Sequence, residues 1–275
     1  MSRISSAMIP MSSLSDLSRA QQQLIEAARQ SSAQTKATDL KGYAREAQTL
    51  VSAERLAART QSFLATTREL QTRMEIQDVA LGRAADTVGK LKEDLFQNVG
   101  LESGEGVRAQ LEEAFAVLKD SMNTNLGGRY LFGGVLNDRP PVTATTLSDL
   151  AANPLTNSIE QGAEAQVMRV EDNRTVQAGL VADDVISLAM ASIKRLAEFD
   201  EGVNGPFSGQ LTAAQRDAIT NELGALSAAF DQILSRQAEN GRLTKEVDSA
   251  EARQKSQADA LNGAPCCQET ASDAG

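Results

Sequence analysis

The sequence predicts a mainly α fold: a long antiparallel coiled-coil-like helical rod with a small β-rich insert in the middle of the chain. Three observations carry that expectation. Apolar residues recur at heptad spacing over residues 43–98 with no Pro to interrupt them. A second seam appears near the other end, at Ile219, Leu223, Leu226, Phe230 and Ile233. Between them Gly127, Gly128, Gly133, Gly134, Pro140 and Pro141 crowd together and break the helical pattern. Composition agrees, because aromatic residues make up only 3% of the chain and Trp is absent. A thick α/β core normally draws on bulky rings that are scarce here.

Taken in order, residues 1–42 form a polar segment with a narrow seam at Leu14, Leu17, Gln21, Leu24 and Ala28, spaced by threes and fours. Leu14, Leu17, Leu24 and Ala28 are the expected assembly seam. A short amphipathic helix this polar is marginal in water and is expected to wait for a partner helix. Residues 43–128 supply the first half of the rod. One row of its stripe reads Phe63, Leu70, Gln77, Ala84 and Leu91; the other reads Thr67, Met74, Leu81, Val88 and Leu95. About 55 helical residues would span about 80 Å, so other long helices must flank this one. The expected rod core is Phe63, Leu70, Met74, Leu81, Val88, Leu91 and Leu95 against Leu223, Leu226, Phe230 and Ile233. Gly82 and Gly89 lie seven apart on one face. Either they allow close helix approach or they are tolerated irregularities that each cost about 1 kcal/mol. A helix over 107–126 should fold back on the first as an αα-hairpin.

Residues 129–179 read as the β-rich insert, with a hairpin signal over 166–178 around Asp172 and Asn173. Residues 180–262 give the second half of the rod. It opens at Ala182-Asp183-Asp184 with a face of Val185, Leu188, Ser192, Leu196 and Phe199, then a loop at 202–209. Thr212 with Gln215 makes a capping box for the last long helix, whose seam thins toward Leu243, Val247, Ala250 and Leu261. Residues 263–275 are a polar tail without a seam.

Charge and residue usage narrow the function. A net charge of −10 and a pI near 4.7 argue against a nucleic-acid partner. With no His anywhere, the commonest general base and metal ligand are missing. Cys266 and Cys267 are adjacent and alone, so neither a zinc site nor a disulfide framework follows. No phosphate-loop or dinucleotide motif occurs. Asp183 with Asp184 could be a catalytic pair, but acidic residues at a helix start also complement its dipole. No apolar run is long enough for a membrane span, and no cleavable signal peptide is apparent. These readings predict a non-enzymatic protein without cofactors.

The segment GGRYLFGGVLNDRPPV adds a resemblance. Gly128, Tyr130, Leu131, Phe132, Gly133, Gly134, Pro140, Pro141 and Val142 resemble the stretch after the central helices in the bacterial flagellin family. The likeness is greatest to its hook–filament junction proteins (hook-associated protein 3). Ser2-Arg3-Ile4-Ser5 resembles the family's opening, and Asp39–Tyr43 stands where relatives carry a turn. The resemblance covers about residues 1–262. It implies a secreted structural subunit of the bacterial flagellum, exported without a cleaved signal peptide through the type III apparatus. Implied partners are other copies of itself, neighbouring axial proteins on the hook side, filament flagellin and an export chaperone, with no membrane insertion. A divergent filament flagellin is the alternative within the class; a secreted helical-rod adaptor or translocator is the alternative outside it. Relatives end in a second amphipathic helix that 262–275 does not provide, so this tail is expected to reflect truncation or a changed reading frame, with a genuine shortened variant as the alternative.

Overall fold

A computed structural model of the chain describes residues 19–25, 47–160 and 164–262. The chain divides into two compact units, one formed by 1–62 with 253–275 and the other by 63–252. In order, the elements are helix α1 at 19–25, α2 (Ala47–Gly100), α3 (Val107–Met122), strands β1 (Asn125–Leu126) and β2 (Arg129–Tyr130), and helices α4 (Leu147–Ala152) and α5 (Leu155–Ser158). Strands β3 (Val167–Glu171) and β4 (Arg174–Gln177) follow, then helices α6 (Ala182–Glu201) and α7 (Ala213–Asn262). The class is mainly α, and the described strands make only two two-stranded antiparallel sheets.

In the first unit Leu24 and Ile25 are exposed, while Thr60 and Gln254 are buried. Leu14, Leu17 and Ala28 of the expected assembly seam lie outside the described residues, as do Cys266 and Cys267.

The second unit is organised by α2 and α7. Buried positions along α2 are Leu70, Met74, Gln77, Leu81, Ala84, Val88, Leu91 and Leu95. They alternate in steps of four and three, the spacing of a coiled-coil seam. On α7 the row Ile219, Leu226, Ile233, Asn240 and Val247 is buried at intervals of seven. The helices run antiparallel. Arg68 pairs with Glu251 at 3.4 Å, Gln71 Nε2 donates to Asp248 at 2.8 Å, and Lys92 Nζ donates to Ser227 at 3.4 Å. Equal steps along α2 and back along α7 keep one register throughout.

The expected core needs three corrections. Phe63 is half-buried and Leu64 is buried instead, because the buried positions Leu64, Thr67 and Leu70 advance by two steps of three and move the seam past Phe63. Leu223 and Phe230 are half-buried at the edge of the core. Ala229 takes the inner position, where a small side chain suits close helix contact.

Asn240 and Gln77 are buried polar residues at seam positions. Asn240 Nδ2 donates to the carbonyl of Met74 at 2.9 Å. Gln77 Nε2 donates to the carbonyl of Leu131 at 2.8 Å. Beside the seam, Glu222 accepts from Arg195 and from the Ser192 hydroxyl, each at 2.7 Å. Burial pushes the Glu222 carboxyl up, but these hydrogen bonds outweigh it and hold it below its ordinary value of 4.5. A carboxyl lowered in the folded state stabilises the fold above its unfolded pKa and loses that contribution as pH falls through the folded value. Glu222→Gln should therefore lower stability at neutral pH, and the deficit should shrink as pH falls through the lowered folded-state pKa and the wild-type carboxyl takes up its proton. Denaturation midpoints of the two proteins across an acid series should converge; a constant gap would contradict the sign.

Helix α3 folds back on α2, with Lys90 against Glu113 at 3.1 Å and Asn98 donating to Gln110 at 2.8 Å. It packs with α4 and α6 around Phe115, Leu118, Met122, Leu150, Ile186, Met190 and Ile193. Asp200, buried at the end of α6, accepts from the backbone N–H of Phe207 and from Arg108 Nη1, each at 2.7 Å. The expected capping box is present: the Thr212 N–H donates to Gln215 Oε1 at 2.9 Å and the Gln215 N–H donates to Thr212 Oγ1 at 3.3 Å.

The expected insert boundaries shift. Helix α3 ends at Met122, and the first hairpin starts at Asn125. The insert also contains α4 and α5, so it is not purely β. Thr146 caps α4 by accepting from the Asp149 N–H at 3.1 Å, a signal the sequence carried and the strand reading overlooked. The β3–β4 hairpin forms as expected, and its Val170 and Val176 close over Leu70, Met74, Leu243 and Val247.

Candidate functional site

The segment with the family resemblance forms a tie between elements. Strands β1 and β2 meet across Gly127 (φ 61°) and Gly128 (φ 81°). Two successive positive φ values define the two-residue turn that matches strand twist, and glycine adopts them without strain. Past Tyr130, the Leu131 N–H donates to Thr124 O at 3.0 Å, and Phe132 O accepts from the Ala182 N–H at 3.0 Å. Leu131 and Phe132 are buried, so the segment joins the end of α3 to the start of α6.

Gly133 and Gly134 sit where side chains do not fit. A Cβ on Gly133 would lie 2.8 Å from the Leu136 carbonyl, and one on Gly134 would collide with the Glu164 carbonyl. Pro141 and Val142 run beside residues 158–160. Pro141 O accepts from the Glu160 N–H at 2.8 Å, and Val142 pairs with Ile159. Asn123, just beyond α3, accepts from the Val142 N–H at 3.0 Å and donates back to the Val142 carbonyl at 2.9 Å. Pro140 is half-buried and Tyr130 likewise. The motif thus holds the insert to the helical bundle through backbone hydrogen bonds, with glycine required at Gly133 and Gly134 by the close approach of neighbouring carbonyls.

Sequence reasoning placed Gln77 in an apolar row and missed its role. Its amide reaches out of the seam to Leu131 and lies directly over Gly179 (φ 111°), where a Cβ would overlap it. A polar residue on an otherwise apolar stripe was the available signal. Gly179→Ala should cost about 1–3 kcal/mol, combining an unfavourable φ with displacement of Gln77. Urea unfolding checks this; a loss below about 0.5 kcal/mol would mean the site relaxes freely. Asn123 and Asp200 were also missed, since single polar residues at helix ends carry no spacing signal.

Gly89 allows close approach, because a Cβ there would stand 3.3 Å from the Phe230 ring. At Gly82 the added atom would be 3.7 Å from Gln237, an ordinary contact. Asp183 and Asp184 open α6. Burial, then the neighbouring Asp184, raises the Asp183 carboxyl. The Asp184 carbonyl accepts from Gln232 at 2.8 Å and from Arg236 at 3.3 Å on α7, which makes this pair part of a helix junction. Among the described residues no group of three acidic, His or Cys side chains could hold a metal, and no helix is long and apolar enough to cross a membrane.

No protein-family model matches the chain, and no curated protein sequence matches it. Its fold, however, is shared with solved structures. A putative flagellar hook-associated protein from Vibrio parahaemolyticus superposes with a TM-score of 0.64 at 13% identity, covering 80% of this chain and 96% of that one. Bacillus cereus FlgL superposes with a TM-score of 0.53 at 15% identity, covering 74% of this chain and 98% of that one.

Proposed function

We propose that the chain is a structural subunit of the bacterial flagellum that joins hook to filament by self-assembly of its helices, with no catalytic role. The observation that carries this reading is the latch made by Gly128–Val142 between the helical bundle and the insert, in a fold shared with hook-associated proteins. The length of matched structure supports it as well, since most of each neighbour is covered. Its partners are further copies of itself, hook-side axial proteins and filament flagellin, and an export chaperone delivers it for secretion. The exposed Leu24 and Ile25 supply apolar surface on α1 for such contacts.

The test is deletion of the gene in its own bacterium, followed by electron microscopy. Intact hooks without filaments, restored by the wild-type gene, are the expected result. Thinner or fewer filaments on complete hooks would instead identify a filament flagellin.

A further inference from the structure

A cleft between α2 and the β1–β2 hairpin has a chemistry that the assembly reading does not use. It encloses about 330 Å³ and is walled by Glu69, Arg73, Leu126, Gly127, Arg129 and Leu131. Arg73 is only 6% exposed. Its Nη1 donates to Gln166 Oε1 at 3.2 Å, which fixes the side chain from the start of the β3–β4 hairpin. Its Nε is buried and has no hydrogen-bond partner among the described residues. A buried guanidinium N–H without an acceptor is costly, and such groups normally have one. Burial pushes the Arg73 guanidinium below its ordinary value; Glu69 opposes that shift and Arg129 adds to it.

Two guanidiniums and one carboxylate leave one positive charge in the cleft wall. A monoanion balances it, whereas a phosphate dianion would overcompensate and face Glu69. Guanidinium geometry favours a planar carboxylate. Leu126 and Leu131 offer apolar surface for whatever carries that group.

We propose that this cleft binds a carboxylate on an apolar stem, with the head on Arg73 and Arg129 and the stem against Leu126 and Leu131. A free short-chain acid and an acidic side chain of a second copy share this chemistry. With 37 acidic residues and a net charge of −10, the chain itself is a ready source of the second kind. The site does not depend on the flagellar reading.

The experiment follows arginine Nε–H resonances of the full chain while butyrate replaces chloride at constant ionic strength. The Arg73 signal should shift and saturate with butyrate. Arg129→Gln, an exposed change on the hairpin, should weaken binding about tenfold by removing one charged hydrogen-bond donor group. A linear drift without saturation, equal affinity in Arg129→Gln, or equal saturation by inorganic phosphate would overturn the assignment. Dilution of the protein alone separates the sources. Movement of the same resonance on dilution identifies an acidic side chain of a second copy, and a response to butyrate only identifies a free acid.

Discussion

Leu81→Asp is expected to destabilise the 63–252 unit by about 4 kcal/mol or more. Leu81 is fully buried in the α2 seam, one heptad from Met74 and Val88. Truncating such a leucine already costs about 2–5 kcal/mol through lost transfer energy and the cavity left behind. Aspartate adds a carboxyl that must either stay charged without a partner or take up a proton, and both are unfavourable. Single domains have only about 5–15 kcal/mol in reserve. Urea denaturation followed by helical circular dichroism measures the loss. Val79→Asp, two residues away at an exposed position, is the control and should stay within about 0.5 kcal/mol of wild type. Equal behaviour of the two variants would show that the seam is wrongly registered.

Asp200→Ala should cost about 3 kcal/mol. Its carboxylate is the acceptor for the Phe207 N–H, which keeps the 202–211 loop against α6, and for Arg108. Removing it orphans a buried N–H. The guanidinium suffers less, because Arg108 also donates to Glu112 at 3.0 Å, Ser148 at 3.0 Å and Glu201 at 3.3 Å and remains partly exposed. Glu201→Gln, which touches only the exposed side of this cluster, should cost less than about 1 kcal/mol. Thermal unfolding of the pair decides: if Glu201→Gln is the more damaging, the buried arm of the network is not the important one.

Much of this fold is legible in the sequence because coiled-coil packing writes itself as a period. Leu70 through Leu95 follow the four-three rule closely enough to be read without a structure, and Thr212 with Gln215 announces the start of α7 by a local, reciprocal pattern. Where the period fails, the reading fails with it. Phe63 is large and apolar, yet two successive steps of three hand its place to Leu64. Phe230 looks like a core anchor, but the inner position goes to Ala229, and the Phe230 ring packs at the edge of the core over Gly89. The GGRYLFGG segment was conspicuous by composition, but its work is done by backbone groups whose partners, Gln77, Thr124 and Ala182, cannot be found by spacing. Polar side chains such as Gln77 and Asp200 depend on a neighbour far along the chain, and no local pattern encodes that neighbour.

The antiparallel match between α2 and α7 has a consequence in time. Arg68 and Glu251 are separated by 183 positions, and the whole insert lies between them. A ribosome delivers α2 early and its covering helix last, so Leu70 and Met74, which share a core with Leu243 and Val247, lack that cover until nearly all of the 63–252 segment has emerged. The helices can close from the far end of α2, away from the insert: Glu102 pairs with Arg216 at 2.6 Å across a shorter stretch of chain than the one between Arg68 and Glu251. Closing so long a loop first would be entropically unfavourable, and zippering from that end avoids it. The chain is therefore built to finish folding late, its first long helix completed by its last.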